Sequence, residues 1–152
     1  MKRNVRKLMC MMFAVLLAFS YTLPVVAQES ATNEIAVMPR LSHCSMCLTT
    51  FAVDDPGVGN VAVQYSGYPS TFVEAKVTIQ IQKKFLGLFW KTVDIGYANN
   101  EWIAYSSVVS GTFRNTFSLD GTGTYRAKFK VEIRGTDGTV DVIEDTIERK
   151  YS

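Results

Sequence analysis

From Thr124 the chain reads TYRAKFKVEIRG. Tyr125, Ala127, Phe129, Val131 and Ile133 fall on one side of an extended backbone, and Arg126, Lys128, Lys130, Glu132 and Arg134 on the other. Strict alternation of this kind predicts a strand with one face in a core and one in water. FVEAKVTIQIQKK repeats it, with Val73, Ala75, Val77, Ile79 and Ile81 predicted inside and Glu74, Lys76, Thr78, Gln80 and Gln82 outside. NVAVQYSG sets Val61, Val63 and Tyr65 on one side, and TFRNTFSL alternates more loosely through Phe113, Phe117 and Leu119. These runs are rich in β-branched and aromatic residues, which suit a pleated surface. Turn signals separate them: DDPG at 54–57, SGYP at 66–69, LG at 86–87, ANN at 98–100, SG at 110–111, DGTG at 120–123 and GTDG at 135–138. The pattern predicts strands near 48–53, 60–66, 71–84, 88–96, 101–109, 112–119, 124–134 and 139–149. Short strands at such spacing make an all-β sandwich or barrel.

Two local features refine this to an antiparallel sandwich of the immunoglobulin-like or fibronectin III-like kind. In LDGTGTY a leucine and a tight glycine turn precede Tyr125 at the mouth of a strand. This matches a tyrosine corner, in which the phenol bonds backbone a few residues upstream. Trp90, in LFWKTVDI, follows the longest predicted strand after a short turn, where such a sandwich carries its central core tryptophan.

The N-terminus follows other rules. Lys2, Arg3, Arg6 and Lys7 precede the apolar run Leu8–Phe19, and Val25 and Ala27 stand three and one residues before a favourable cut at Gln28. Residues 1–27 are therefore expected to be a cleaved signal peptide, 28–42 a loose lead-in, and 43–152 the sandwich domain. The apolar run is short for a membrane span, which needs about 20 residues. Cleavage also changes the charge. Of 16 basic residues four lie in 1–27, leaving 12 against 14 acidic ones, a net −2. Nothing in that balance favours nucleic acid or an anionic surface. The expected product is secreted, touching membrane only through its signal.

Export bears on the cysteines. Cys10 leaves with the signal, so Cys44 and Cys47 of HCSMC are the mature pair. In an oxidising compartment the expectation is a small local disulfide stiffening the entry to the first strand. A zinc site would need four ligands, and His43 is the only histidine. A redox dithiol would need a helix after its first cysteine, and LTTFAVDD reads as a strand. No metal or cofactor is expected.

No catalytic residue is expected either. His43 has no nucleophile elbow near it. Asp141, Glu144, Asp145 and Glu148 read as the wet face of a last strand, and DGTG as a plain turn rather than a calcium loop. Tyr97, Trp102 and Tyr105, around GYANNEWIAYSS, form a possible binding surface for a protein or glycan partner if exposed; the alternative is that they fill the core or its rim. KKFLGLFWK, residues 83–91, has the cationic and apolar mixture of a membrane-active peptide, but its position suits a hairpin turn.

The order PR, VTIQIQKK, G-x-x-W-K-x-V (Gly87–Val93), GTYRAK (Gly123–Lys128) and an acidic last strand resembles a set of small exported proteins of Gram-positive bacteria, over residues 35–147. More distantly the chain resembles fibronectin type III and immunoglobulin-like modules, without the inter-sheet cysteine pair of antibody domains. The resemblance implies fold and export and brings no active residues. The reading is thus a secreted, non-catalytic binding or surface-structural protein. Two alternatives stay open: a membrane-active protein, which requires KKFLGLFWK to be exposed, and a thiol–disulfide protein using Cys44 and Cys47.

Overall fold

The computed structural model describes residues 41–54 and 57–152, all within the second of two units of the chain, Val37–Ser152. The expected signal peptide, and the lead-in up to residue 40, lie outside the described residues. Among the described residues eight antiparallel strands form: β1 (Cys44–Asp54), β2 (Val58–Gly67), β3 (Phe72–Phe85), β4 (Phe89–Thr92), β5 (Trp102–Ser106), β6 (Ser110–Ser118), β7 (Gly123–Gly135) and β8 (Val140–Tyr151). Each overlaps one of the eight predicted strands, although β1 begins at Cys44 rather than at 48.

The strands make two sheets, β1-β2-β6 and β4-β3-β7-β8, with β5 also paired to β3. β5 pairs with residues 75–79 of β3 and β4 with 82–85, so the two short strands succeed one another along β3. Between them the chain leaves the sheet through a 3₁₀ turn, Ala98–Asn100, where Asn99 and Asn100 take positive φ of 56° and 55°. Asparagine tolerates that conformation better than most residues. The predicted strand at 88–96 is shorter than expected, since β4 ends at Thr92.

The core is where the two alternating faces meet. Phe51, Val61, Val63, Tyr65, Phe113 and Phe117 from the first sheet pack on Ala75, Val77, Ile79, Ile81, Ala127, Phe129, Val131 and Ile133 from the second, all buried. Burying each large side chain contributes about 1.5–3 kcal/mol. Tyr125, fully buried, holds its Oη 2.6 Å from the carbonyl oxygens of both Asp120 and Gly121. Its one hydroxyl proton serves this pair, and so ties the β6–β7 crossing between sheets.

Two bulges decide which side chains point in. In β3 the register shifts between Phe72 and Glu74, so Phe72 is buried and Val73, expected inside, is exposed. In β1 it shifts between Cys44 and Met46. A bulge inserts one unpaired residue. It therefore turns Cys44 and Cys47, three residues apart, onto the same inner face. The expected disulfide is absent: both thiols are free and buried. The reason is extension. Three residues of strand separate Cα atoms by roughly 10 Å, whereas a disulfide needs about 4.4–6.8 Å.

Candidate functional site

His43 is 3 % exposed, at the entry to β1. Its Nε2 lies 2.7 Å from Thr139 Oγ1 and 3.3 Å from Asp137 Oδ1, its ring packs on Gly135, and its Nδ1 is buried without a hydrogen-bond partner. Asp137 is held below the usual carboxylate range, first by the Thr139 N–H and then by the Thr139 hydroxyl. Alongside, the Asp141 carboxylate accepts from three successive backbone N–H groups, Ser42 (3.2 Å), His43 (2.6 Å) and Cys44 (3.0 Å). Asp145 accepts from the Thr49 hydroxyl. The expected wet face of four acids is thus divided: Asp141 and Asp145 point toward β1, and Glu144 and Glu148 are exposed. The inward pair stitches β8 to β1 where the two sheets share no backbone ladder. So enclosed a histidine ring has no space for a substrate.

The cysteines lie in the same region. Burial raises both thiols, Cys47 to about 12, with the nearby Cys44 and Asp145 adding to the effect. Thiols held protonated are poor nucleophiles. Among the described residues no three of His, Cys, Asp and Glu are placed to hold a metal ion, and no helix is long and apolar enough to cross a membrane.

Of the aromatic candidates, Trp102 and Tyr97 meet at Phe117 and Tyr105 does not. Trp102 pairs with Ile79 and turns inward, edge-on to Phe117 at 6.3 Å. Tyr105, three residues on, faces outward and is exposed. Tyr97 lies in the preceding loop, edge-on to Phe117 at 6.5 Å, its hydroxyl 3.3 Å from Asn115 Nδ2. Residues three apart on a strand face opposite ways, so these three cannot share one surface. Trp90 is not the central core tryptophan expected. It pairs with Lys84, an outward residue of β3, and lies half-buried on the outer face of the second sheet. There the Arg126 guanidinium stands 4.2 Å and the Lys84 ammonium 5.5 Å from its ring centre. Sequence reasoning missed Arg126, because only the β3–β7 register brings it toward Trp90.

What the structure presents to solvent is the β3–β4 hairpin itself. Phe85, Leu86, Leu88 and Phe89 are 57, 75, 74 and 65 % exposed. Other exposed apolar residues lie in other strands and loops; these four follow one another around a single turn. The Leu88 N–H donates to the Phe85 carbonyl at 3.0 Å, and both central residues, Leu86 and Gly87, have positive φ, 49° and 70°. Two successive positive φ values are the mark of a type I′ turn, which favours Asn-Gly, here set in a three-residue connection because Phe85 pairs with Phe89. Glycine suits the second place. A leucine at the first is unfavourable by about 1–2 kcal/mol, and its side chain is left in water. Pairing of β7 with β3 ends at Lys83 opposite Tyr125, so the tip extends beyond its neighbour. Lys83 folds back to the Asp120 carbonyl, while Lys84 and Lys91 flank the tip. Leu86-Gly87 was legible as a turn; that its flanks stay uncovered was not. Comparison with protein-family models, curated proteins and solved structures finds no match for this chain.

Proposed function

We propose that this protein is exported after removal of residues 1–27, and that its domain is a non-catalytic binding module which docks reversibly on lipid bilayers through the β3–β4 hairpin. The observation that carries the reading is Leu86, a bulky apolar residue in a left-handed turn and three-quarters exposed. Both features oppose folding, and local conflict without structural return is a mark of function. The sheet order, with β1-β2-β6 facing β3-β7-β8 and a tyrosine bonded across the β6–β7 turn, supports an immunoglobulin-like or fibronectin III-like type.

The energetics favour weak docking. Four side chains, each about two-thirds exposed, would gain about 5 kcal/mol in all on leaving water. Part of that is lost to the entropy of association. A single apolar anchor gives only marginal membrane binding, and stable attachment takes a second, cationic signal. Lys84 and Lys91 beside the tip would supply it.

Co-sedimentation of the processed chain with vesicles tests this. Binding to phosphatidylcholine–phosphatidylglycerol vesicles is expected, without release of an entrapped dye, and L86S with L88S should remove it while leaving the thermal transition in place. Wild-type protein that stays in the supernatant, or a double variant that still sediments, refutes the docking reading. Dye release would instead favour a membrane-disrupting role for the same segment.

A further inference from the structure

We infer that Arg126 anchors a site for the phosphate of a lipid headgroup, on the outer face of the second sheet beside the tip. The inference rests on the membrane-docking reading and adds a headgroup contact to it. Arg126 is opposite Gln82 in the β3–β7 register. Its Nε donates to Gln82 Oε1 at 2.7 Å, and Gln82 Nε2 donates to Gln80 Oε1 at 2.9 Å. One face of the guanidinium is held by Trp90 at 4.2 Å. Stack and hydrogen bond together fix the fork, so little side-chain entropy remains to be lost on binding.

Among the described residues neither Nη group of Arg126 donates to a protein acceptor, and its cross-strand neighbour Glu148 makes no ion pair with it. A fixed guanidinium with both terminal nitrogens available is suited to two-pronged recognition of an oxyanion. Lys84 lies beside the same tryptophan, and Lys128 is the next outward residue of β7, opposite Gln80. Neither is paired with a carboxylate, whereas Lys76 and Lys130 share the single carboxylate of Glu132. Arg126 and Lys84 thus flank Trp90, with Lys128 the next outward cation along β7 and none of the three in an ion pair among the described residues, in a chain whose net charge without residues 1–27 is negative.

The spacing fits a bilayer. The Gln82–Arg126 row lies three residues behind Phe85, roughly 10 Å along the strand. The polar zone outside the hydrocarbon on each side of a bilayer is about 5–8 Å deep, so the backbone of that row lies just outside it, while the guanidinium reaches tipwards to Trp90, which pairs with Lys84, one residue behind Phe85. With the tip's apolar side chains at the acyl boundary, Trp90 and Lys84 fall at headgroup level, where tryptophan is favoured, and Arg126 near the phosphates.

The test compares partitioning onto vesicles of phosphatidylcholine alone with vesicles that also contain phosphatidic acid. Wild-type protein is expected to prefer the anionic vesicles. R126Q should lower that preference by on the order of fivefold, with a smaller loss on phosphatidylcholine alone, whose single phosphate charge is offset by its choline. R126K keeps the charge and loses the fork, and should recover less than half of the difference. An R126Q preference equal to wild type, or full recovery by R126K, overturns the inference while leaving hairpin docking standing. Loss of all vesicle binding by wild type removes the reading beneath it. Arg126-dependent binding to inorganic phosphate or a sulfated polysaccharide, with no preference among vesicles, overturns the lipid assignment. If the Arg126 variants do not fold, K84Q with K128Q replaces them: reduced preference supports the site and unchanged preference overturns it.

Discussion

Replacing Leu86 with Asn separates what the turn needs from what a docking tip needs. Leu86 has a φ of 49° and is 75 % exposed, and a Cβ built on Gly87 beside it would meet nothing within 4 Å. The substitution therefore disturbs no packed neighbour. Asparagine is several-fold enriched in the left-handed region. Recovering about half of the ~1–2 kcal/mol penalty borne by leucine stabilises the fold by about 0.5–1 kcal/mol, a rise of roughly 2–4 °C in Tm for a domain of this size. Vesicle binding should move the other way. Three-quarters of a leucine is worth about 1.5 kcal/mol on leaving water, so partitioning falls at least about tenfold. Thermal denaturation followed by far-ultraviolet circular dichroism gives the first quantity, and vesicle co-sedimentation the second. A lower Tm would show that the turn does not oppose leucine. Unchanged partitioning would show that its exposure has no part in docking.

Three further outcomes follow from other parts of the molecule. Y125F deprives the Gly121 carbonyl of its donor, while Lys83 still reaches that of Asp120; a loss of about 1–2 kcal/mol is expected in urea denaturation, and an unchanged midpoint would show that the tyrosine does not tie the crossing. Cys47 is pushed from 9.0 up to about 12 in the fold, so above pH ~9 the unfolded chain gives up a proton that the folded chain keeps. Stability is then complete below about pH 9 and falls as pH rises toward 12, with a slope of up to about 1.4 kcal/mol per pH unit from this thiol. C47A should flatten that slope, and identical slopes would exclude the thiol as its source. Finally, G135A puts a methyl group into the space of the His43 ring. It should destabilise by about 1–3 kcal/mol, and a neutral result would mean that the histidine has room to move.

Period-two alternation is imposed on each strand by its own backbone, so the sequence alone determined that eight strands form and that Val61, Ala127 or Ile133 faces inward. The LG and ANN turns were legible for the same reason, since φ preferences belong to single residues. Tertiary structure decided whatever depends on register and on what covers a surface. One inserted residue in β1 turned Cys44 and Cys47 to the same side, and extension kept them too far apart to bond. The β3–β7 pairing brought Arg126, remote in sequence, onto Trp90, and put that tryptophan outside the core. KKFLGLFWK could be read as a hairpin from its residues, but the exposure of Phe85 to Phe89 follows from β7 ending short of them. Local sterics are written in neighbouring residues; pairing and coverage arise between segments far apart along the chain, and only the assembled sheets fix them.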